Sequence, residues 1–239
     1  MLKKLLLSLI LIPISCGIAA ADTSTIVKAE RFYKQHEWAS AAAMYYLLID
    51  GNPENAGYYG RAIVSDGMRG DTAAQMRTMR LALDHHLTFD TLFSHVETES
   101  MQLGEADVYE RFLLLLKERE PWMTRAVDAR LMSYYAFRRN PEASVRYAET
   151  MLSGMPDDEN ALYILAQGYL GEGDLTEAMK VYERIISINP RSYTALLYLG
   201  NAAADAGEKS KALEYLNKAK EIKPTPYVTA LIERLSTTE

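Results

Sequence analysis

The chain has 239 residues, of which 49 % are hydrophobic and 24 % are charged, and its formal net charge is -6. This composition is typical of a folded domain or repeat array with a substantial buried core. Nucleic-acid binders normally carry a surplus of Lys and Arg on one face, and this chain carries a surplus of acids. We therefore expect no nucleic-acid partner.

The N-terminal segment 1–21 has the pattern of an export signal. Lys3 and Lys4 form a positive start, Leu5–Leu11 is apolar apart from one serine, and Ala19–Ala21 supplies small residues at a cleavage site. This pattern is typical of a secretory signal peptide. We predict a signal peptide over 1–21, cleavage before Asp22, and a periplasmic or secreted protein.

Two alternatives concern the same segment. An uncleaved membrane anchor is disfavoured because Pro13 and Gly17 interrupt a short apolar run. Lipidation is the other alternative, because Cys16 follows Ser15 as at the end of a bacterial lipoprotein signal, although Pro13 stands where an aliphatic residue is usual. A lipidated Cys16 predicts an envelope-anchored protein, the one case in which we expect a membrane contact.

Two segments near the C-terminus are internal repeats of one another. Segments 161–190 and 195–224 align without a gap, and both end in proline. A fixed period of about 34 residues is the signature of a helical repeat architecture. The coinciding residues are Leu162 with Leu196, Leu165 with Leu199, Gly173 with Gly207, Ala178 with Ala212, and Pro190 with Pro224.

Each repeat unit is predicted to be a pair of helices. Leu162, Leu165 and Tyr169 lie on one helical face because they are spaced three and four residues apart. Gly173 ends this first helix, and the sequence from Asp174 to Glu177 has the form of a capping pair that begins the second. Pro190 ends the second helix, because the residue before proline disfavours helical backbone.

A helix–turn–helix unit of this period, with this order of Leu, Gly or Ala, Tyr, Gly-Asp, Ala, Tyr and Pro, resembles the tetratricopeptide repeat. The resemblance is strongest over 159–226. It implies an all-α fold, a right-handed α-solenoid of about six repeats. The predicted repeats are 22–55, 56–89, 90–123, 124–158, 159–192 and 193–226, followed by a capping helix and tail over 227–239.

The two middle repeats match the pattern less well. In the third, Tyr109 stands where the family has a small alanine. In the fourth, Arg138 and Arg139 replace the usual Gly-Asp turn, and the pattern assigns the Ala and Tyr positions of the second helix to Ala143 and Tyr147. Because Pro156 is one residue later than the period requires when it is counted from Pro121, we expect one extra linker residue in this repeat.

The sequence predicts no catalytic activity, no metal site and no cofactor. The chain has four histidines, and neighbours such as His85 and His86 point about 100° apart on a helix, which is unsuitable for one ion. There is no Gly-x-Ser-x-Gly motif and no phosphate-binding Gly-Lys-Ser/Thr sequence. We therefore predict that the protein is not an enzyme.

The resemblance implies that a protein or peptide partner binds on the concave face formed by the first helices. The residues assigned to that face are Tyr33, Lys34, Met68, Met101, Tyr135, Tyr163, Leu170 and Asn201. Tyr and Met suit adaptable contact surfaces, although packing between repeats is an equally good interpretation of them. The family's clamp for chaperone C-termini is absent, because its positions hold Ile26, Glu30, Val64 and Thr98.

Three functions stay open from the sequence. The first is a non-catalytic protein-binding scaffold, and the second is a lipid-anchored structural subunit of an envelope assembly complex. The third is a glycan-binding accessory, which needs paired aromatic rings beside amide or carboxylate groups. A group of arginines also makes the fourth repeat basic, either as a docking patch for an acidic partner or as an ordinary exposed surface: Arg125, Arg130, Arg138, Arg139 and Arg146.

Overall fold

The computed structural model describes residues 23–237. The predicted signal peptide and Cys16 lie outside these residues. Within them the chain forms thirteen α-helices and one short 3-10 helix, with no β-strand. The predicted all-α class is confirmed. None of the helices in this range is long and apolar enough to cross a membrane.

Twelve of the helices form six successive hairpins, and the thirteenth follows the last hairpin. A 3-10 turn over Pro121–Met123 precedes α7. The helix bounds are α1 Thr23–Lys34, α2 Trp38–Gly51, α3 Ala56–Met68, α4 Thr72–Asp84, α5 Phe89–Gln102, α6 Ala106–Arg119, α7 Thr124–Phe137, α8 Pro141–Gly154, α9 Glu159–Glu172, α10 Leu175–Ile188, α11 Tyr193–Asp205, α12 Lys209–Ile222 and α13 Pro226–Thr237.

A left-handed residue follows the first helix of every hairpin and reverses the chain. Glycine adopts this conformation without strain, whereas a residue with a Cβ adopts it at a cost. These residues recur at the repeat period, except for one interval that is longer by a single residue and contains the 3-10 turn before α7. They are His36, Gly70, Gly104, Arg139, Gly173 and Gly207.

A polar side chain next to the left-handed residue begins the second helix in three hairpins. The side chains of Asp71, Asn140 and Asp174 accept hydrogen bonds from backbone N–H groups three residues ahead, over 2.9–3.1 Å. This bond satisfies a donor that the helix itself leaves without a partner. The predicted cap at Asp174 is therefore present, while the carboxylate of Glu177 pairs with Lys180 instead.

The register of the fourth repeat differs from the sequence prediction by one residue. Pro141 at the start of α8 corresponds to Leu175 at the start of α10, so Ser144 occupies the position of Ala178. The prediction that placed Ala143 and Tyr147 at the repeat positions is wrong. The extra residue lies between Gly104 and Arg139, before the second helix begins. Counted from the left-handed residue, the second helix therefore has the same pattern as in the other repeats.

The chain divides into two compact units, one that ends at Phe112 and one that begins at Leu113. In the N-terminal unit, large side chains from α2 to α6 are fully buried and form the hydrophobic core. Their burial supplies the main stabilising term, because apolar surface leaves water. The largest of them are Tyr45, Tyr59, Ile63, Phe93, Tyr109 and Phe112.

The core of the C-terminal unit depends on small residues between paired helices. Ala178 and Ala212 are completely buried. A Cβ on Gly200 of α11 would lie 2.7 Å from Cγ of Leu216 in α12, so only glycine permits the observed approach of these helices. Helix α13 covers the same leucine with Val228 and Leu231, and thereby closes the last hairpin with apolar side chains.

Two clefts in the C-terminal unit

Two clefts open beside the hairpin turns of the C-terminal unit. The first, which we call cleft A, has a volume of 470 Å³ and lies where α7, α8 and α9 meet. Its lining is Ala136, Arg139, Asn140, Pro141, Ser144, Ile164, Gln167, Gly168 and Gly171.

The second cleft, cleft B, has a volume of 720 Å³ and lies where α9, α10 and α11 meet α13. Most of its lining residues are apolar or aromatic, which is typical of sites that bind organic ligands. Its lining is Leu170, Leu175, Ala178, Met179, Tyr198, Asn201, Ala202, Ala204, Asp205, Ala206, Tyr227, Leu231 and Arg234.

The two clefts are equivalent positions of successive repeats. Seven residues of cleft A have a counterpart in cleft B one repeat period later. The clefts therefore arise from the repeat itself, and their side chains determine how they differ. The pairs are Ala136 with Leu170, Pro141 with Leu175, Ser144 with Ala178, Ile164 with Tyr198, Gln167 with Asn201, Gly168 with Ala202, and Gly171 with Asp205.

Cleft B is the more apolar of the two and is held in place by aromatic contacts. The ring of Tyr198 stacks on Tyr182 with 4.6 Å between centroids, and burial raises the pKa of Tyr198. At the opposite wall, the Tyr227 hydroxyl donates a hydrogen bond of 3.1 Å to Oδ1 of Asn201. Leu175 and Tyr227 are 63 % and 58 % exposed, so cleft B presents apolar surface directly to solvent.

Cleft A is more polar. Arg139 is the single charged residue in its lining. The Ser144 hydroxyl donates to the carbonyl oxygen of Pro141 over 2.9 Å, and the Gln167 amide donates to the Tyr182 hydroxyl. These internal bonds engage the neutral polar groups and leave the Arg139 guanidinium as the group with capacity for a ligand.

The residues predicted from the sequence to bind a partner do not lie together. Leu170 and Asn201 line cleft B. Tyr163 lies in a different depression of 320 Å³, beside Asn160 and Thr194, and is 39 % exposed.

Tyr135 is half-buried, and its ring stacks on Tyr147 of α8 at 5.6 Å. This tyrosine therefore contributes to packing within its own hairpin. Its stacking partner, Tyr147, is also one of the two residues whose repeat position the sequence pattern misassigned by one.

The remaining predicted residues belong to the N-terminal unit. Tyr33 is only 5 % exposed and packs edge-on against Trp38 and Tyr45, so its assignment to the binding surface is wrong. Burial raises the pKa of Tyr33, and the neighbouring carboxylate of Glu99 adds to this effect. Three others keep some exposure: Lys34 is exposed, and Met68 and Met101 are half-buried.

A charged network joins the first helices of the N-terminal unit. The Arg61 guanidinium in α3 pairs with Glu30 of α1 and with Glu99 of α5, where Nε and Oε1 are 2.9 Å apart. It also donates to the Tyr45 hydroxyl over 3.2 Å and lies against the rings of Tyr33 and Tyr45. These bonds link the four helices α1, α2, α3 and α5 through one cation.

The histidines have structural surroundings. His36 stacks on Trp38 with 4.9 Å between ring centroids, and His86 is a left-handed residue after α4. His95 packs against α3, where a Cβ on Gly60 would lie 2.8 Å from its own Cβ. Over residues 23–237, no group of three or more His, Cys, Asp or Glu is arranged to hold a metal ion.

Sequence reasoning missed Leu175, Tyr198 and Tyr227 as lining residues of the clefts, and it named Arg139 only as one of five arginines in a possible docking patch. A signal for one of them was present, because Tyr198 falls three residues before Asn201 on the same face of α11. Tyr227 had no such signal, because its sequence position does not show that its hydroxyl reaches Asn201 on another helix.

Models of the tetratricopeptide repeat match residues 129–192 and residues 169–235. Residues 129–235 therefore contain tetratricopeptide repeats. Both clefts lie within the matched region, and proteins with this repeat are generally interaction scaffolds without catalytic activity.

Similar proteins support the repeat fold. The chain is 24 % identical over 193 residues to a DnaJ homolog subfamily C member 7 homolog of Schizosaccharomyces pombe, a match that covers 81 % of this chain and 37 % of that protein. The structure of PilW, a type IV pilus biogenesis factor, matches with a TM-score of 0.53 and 13 % identity, over 88 % of this chain and 99 % of that one.

The pilF protein of Pseudomonas aeruginosa matches with a TM-score of 0.50 and 13 % identity, over 91 % of this chain and 99 % of that one. At these identities the structural likeness establishes the fold alone. Which partner this chain binds has to be argued from its own surface.

Proposed function

We propose that this protein is an exported, non-catalytic scaffold that binds a protein partner through the clefts of its C-terminal unit. The proposal is based on cleft B, a 720 Å³ cavity with exposed Leu175 and Tyr227 in its lining. A preformed apolar cavity that opens to solvent is the usual form of a binding site.

Rigid support makes cleft B suitable for this role. Asn201 and Tyr227 are joined by a hydrogen bond between α11 and α13, and Tyr198 is fixed by stacking on α10. A surface whose side chains are already ordered loses little entropy when a partner binds. Leu175 stands at the first position of α10, where a change of side chain disturbs few contacts.

The proposal is tested by partner capture with one cleft variant and one matched control. Leu175→Ser removes apolar surface from cleft B, and Leu47→Ser removes a similarly exposed leucine, 56 % exposed, from α2 of the N-terminal unit. We expect the wild-type chain and Leu47→Ser to retain the same cross-linked partner and Leu175→Ser to lose it, with unchanged helical content. Equal retention by all three proteins contradicts the proposed site.

The export part of the proposal rests on the N-terminal sequence. Lys3, Lys4, the apolar run and Ala19–Ala21 favour cleavage before Asp22. Mass spectrometry of the protein from the envelope fraction should find Asp22 as its first residue. An intact N-terminus on the cytoplasmic protein would contradict export.

A second candidate function is a lipid-anchored structural subunit of an envelope assembly complex. It is favoured by one observation, the Ser15-Cys16 sequence within the signal segment. Lipidation predicts that the protein partitions into detergent and that Cys16→Ala releases it to the aqueous phase. Cleavage before Asp22 removes the cysteine and contradicts this candidate.

A further inference from the structure

The left-handed residue after α7 is unusual among the hairpin turns. Four of the six equivalent positions hold glycine, including Gly104 and Gly173 on either side of Arg139 in the sequence. Arg139 has a φ of 54°, a conformation that its Cβ disfavours. Strained residues of this kind persist where the side chain has a task that glycine cannot perform.

The other exception, His36, has a visible compensation. Its imidazole stacks on Trp38 with an angle of 23° between the rings, so the side chain stabilises its own turn. Arg139 has no comparable contact: among residues 23–237, its guanidinium takes part in no hydrogen bond and no ion pair. It lines cleft A as an exposed cation.

Cleft A and cleft B adjoin at the end of α9. The consecutive residues Leu170 and Gly171 of α9 line cleft B and cleft A respectively. A single extended segment that crosses the end of α9 therefore meets both clefts. An extended chain suits such a path because successive side chains point in alternate directions.

The charges of the two clefts differ. Cleft A carries Arg139 alone, whereas Asp205 and Arg234 balance each other in cleft B. We propose that the clefts together bind one extended peptide, which places a carboxylate against Arg139 and a bulky apolar side chain in cleft B. This inference rests on the proposed scaffold function and specifies the chemistry of its ligand.

The guanidinium suits this role because it presents a planar fork of donors that matches a carboxylate. The strained backbone of Arg139 then has a functional reason, since glycine at this turn would fold more easily and would provide no cation.

The test uses the full-length protein and a library of short random peptides with blocked termini. We expect selected peptides to contain Asp or Glu within a few residues of Leu, Ile, Phe or Tyr. Arg139→Gly should weaken binding of a selected peptide at least tenfold while its melting temperature stays equal or rises, because the turn loses its strained residue. His36→Gly, the equivalent change in the N-terminal unit, should leave binding unchanged.

A charge reversal makes the test specific. Arg139→Glu should select peptides with Lys or Arg in place of the acid, and Leu175→Ser should lose the apolar preference while it keeps the acidic one. Selected peptides without an acidic residue, or binding that is insensitive to Arg139→Gly, would overturn the inference.

Failure to select any peptide would also overturn this inference. The scaffold function is tested separately by partner capture with Leu175→Ser. A partner that is lost with Leu175→Ser and kept with Arg139→Gly would support the scaffold and refute the peptide chemistry proposed here.

Discussion

The two units of this chain are built from the same helical hairpins, but they use their polar residues differently. In the N-terminal unit, Arg61 is enclosed by two carboxylates and two tyrosine rings, so its bonding capacity is used inside the fold. In the C-terminal unit, Arg139 lies at a cleft wall without an ion pair among residues 23–237. A repeat can therefore use an arginine to join helices or leave it exposed at a cleft.

Removal of the enclosed arginine should have the largest effect on stability. Arg61→Ala leaves Glu99, whose side chain is only 10 % exposed, without its cation. We expect a loss of about 3 kcal/mol in the free energy of unfolding, because an uncompensated carboxylate stays partly buried. Urea denaturation measures this change.

A second variant checks the cause of that loss. Adding Glu99→Gln to Arg61→Ala removes the carboxylate that lost its partner, so part of the stability should return. A loss below about 1 kcal/mol in Arg61→Ala, within the range of exposed ion pairs, would show that the network is ordinary surface pairing.

A titration should also distinguish the units, because Asp66 in α3 is completely buried. Burial raises the pKa of Asp66 to about 6, although the Tyr46 hydroxyl donates a hydrogen bond to it. The folded protein therefore binds this proton more tightly than the unfolded chain, so the contribution of Asp66 to stability is largest below about pH 4 and is lost as the pH rises through 6. We expect this group to contribute a decrease of about 2 kcal/mol between pH 4 and pH 7.

Asp66→Asn serves as the control for this titration, since an amide does not titrate. Urea denaturation at several pH values should show a flatter dependence for Asp66→Asn than for the wild-type protein. Identical curves for the two proteins would mean that Asp66 has an ordinary pKa in the fold.

In the C-terminal unit, the packing of small residues between paired helices gives a further test. Ala212 is fully buried where α12 meets α11. Ala212→Leu should overpack this contact and lower the free energy of unfolding by about 2 kcal/mol. Thermal unfolding measures the effect, and an unchanged melting temperature would refute the repeat register.

The smallest expected effect concerns the start of α10. Asp174→Ala removes the side chain that accepts a hydrogen bond from the backbone of Glu177. We expect a loss of about 1 kcal/mol. Asp71→Ala removes the equivalent cap of α4 in the N-terminal unit, so similar losses in both variants would show that the hairpins share one capping device. Markedly unequal losses would limit it to one unit.

The fold was largely predictable because its signals are local and periodic. Glycine turns, prolines and buried alanines recur with the repeat period, and these residue types have direct steric roles. The fourth repeat was misaligned by one residue because the insertion lies before its turn, where the 3-10 segment Pro121–Met123 precedes α7. A count of residues between prolines cannot locate an insertion within the repeat.

The site was less predictable because a helical pattern shows which face a residue lies on but not what covers that face. Tyr33 lies on an expected surface face, yet Trp38 and Tyr45 enclose it. Tyr227 was missed for the opposite reason, since it reaches Asn201 across a cleft that only α13 completes. Such contacts depend on the tertiary arrangement.

Site-specific cross-linking can decide whether a partner contacts the clefts of the C-terminal unit. A photoactivatable residue is placed at position 175, 227 or 47 of the full-length protein in its own cells. We predict the same cross-linked partner from positions 175 and 227, which line cleft B, and none from position 47 in the N-terminal unit. A partner cross-linked from position 47 and absent from the other two would contradict the proposed binding surface.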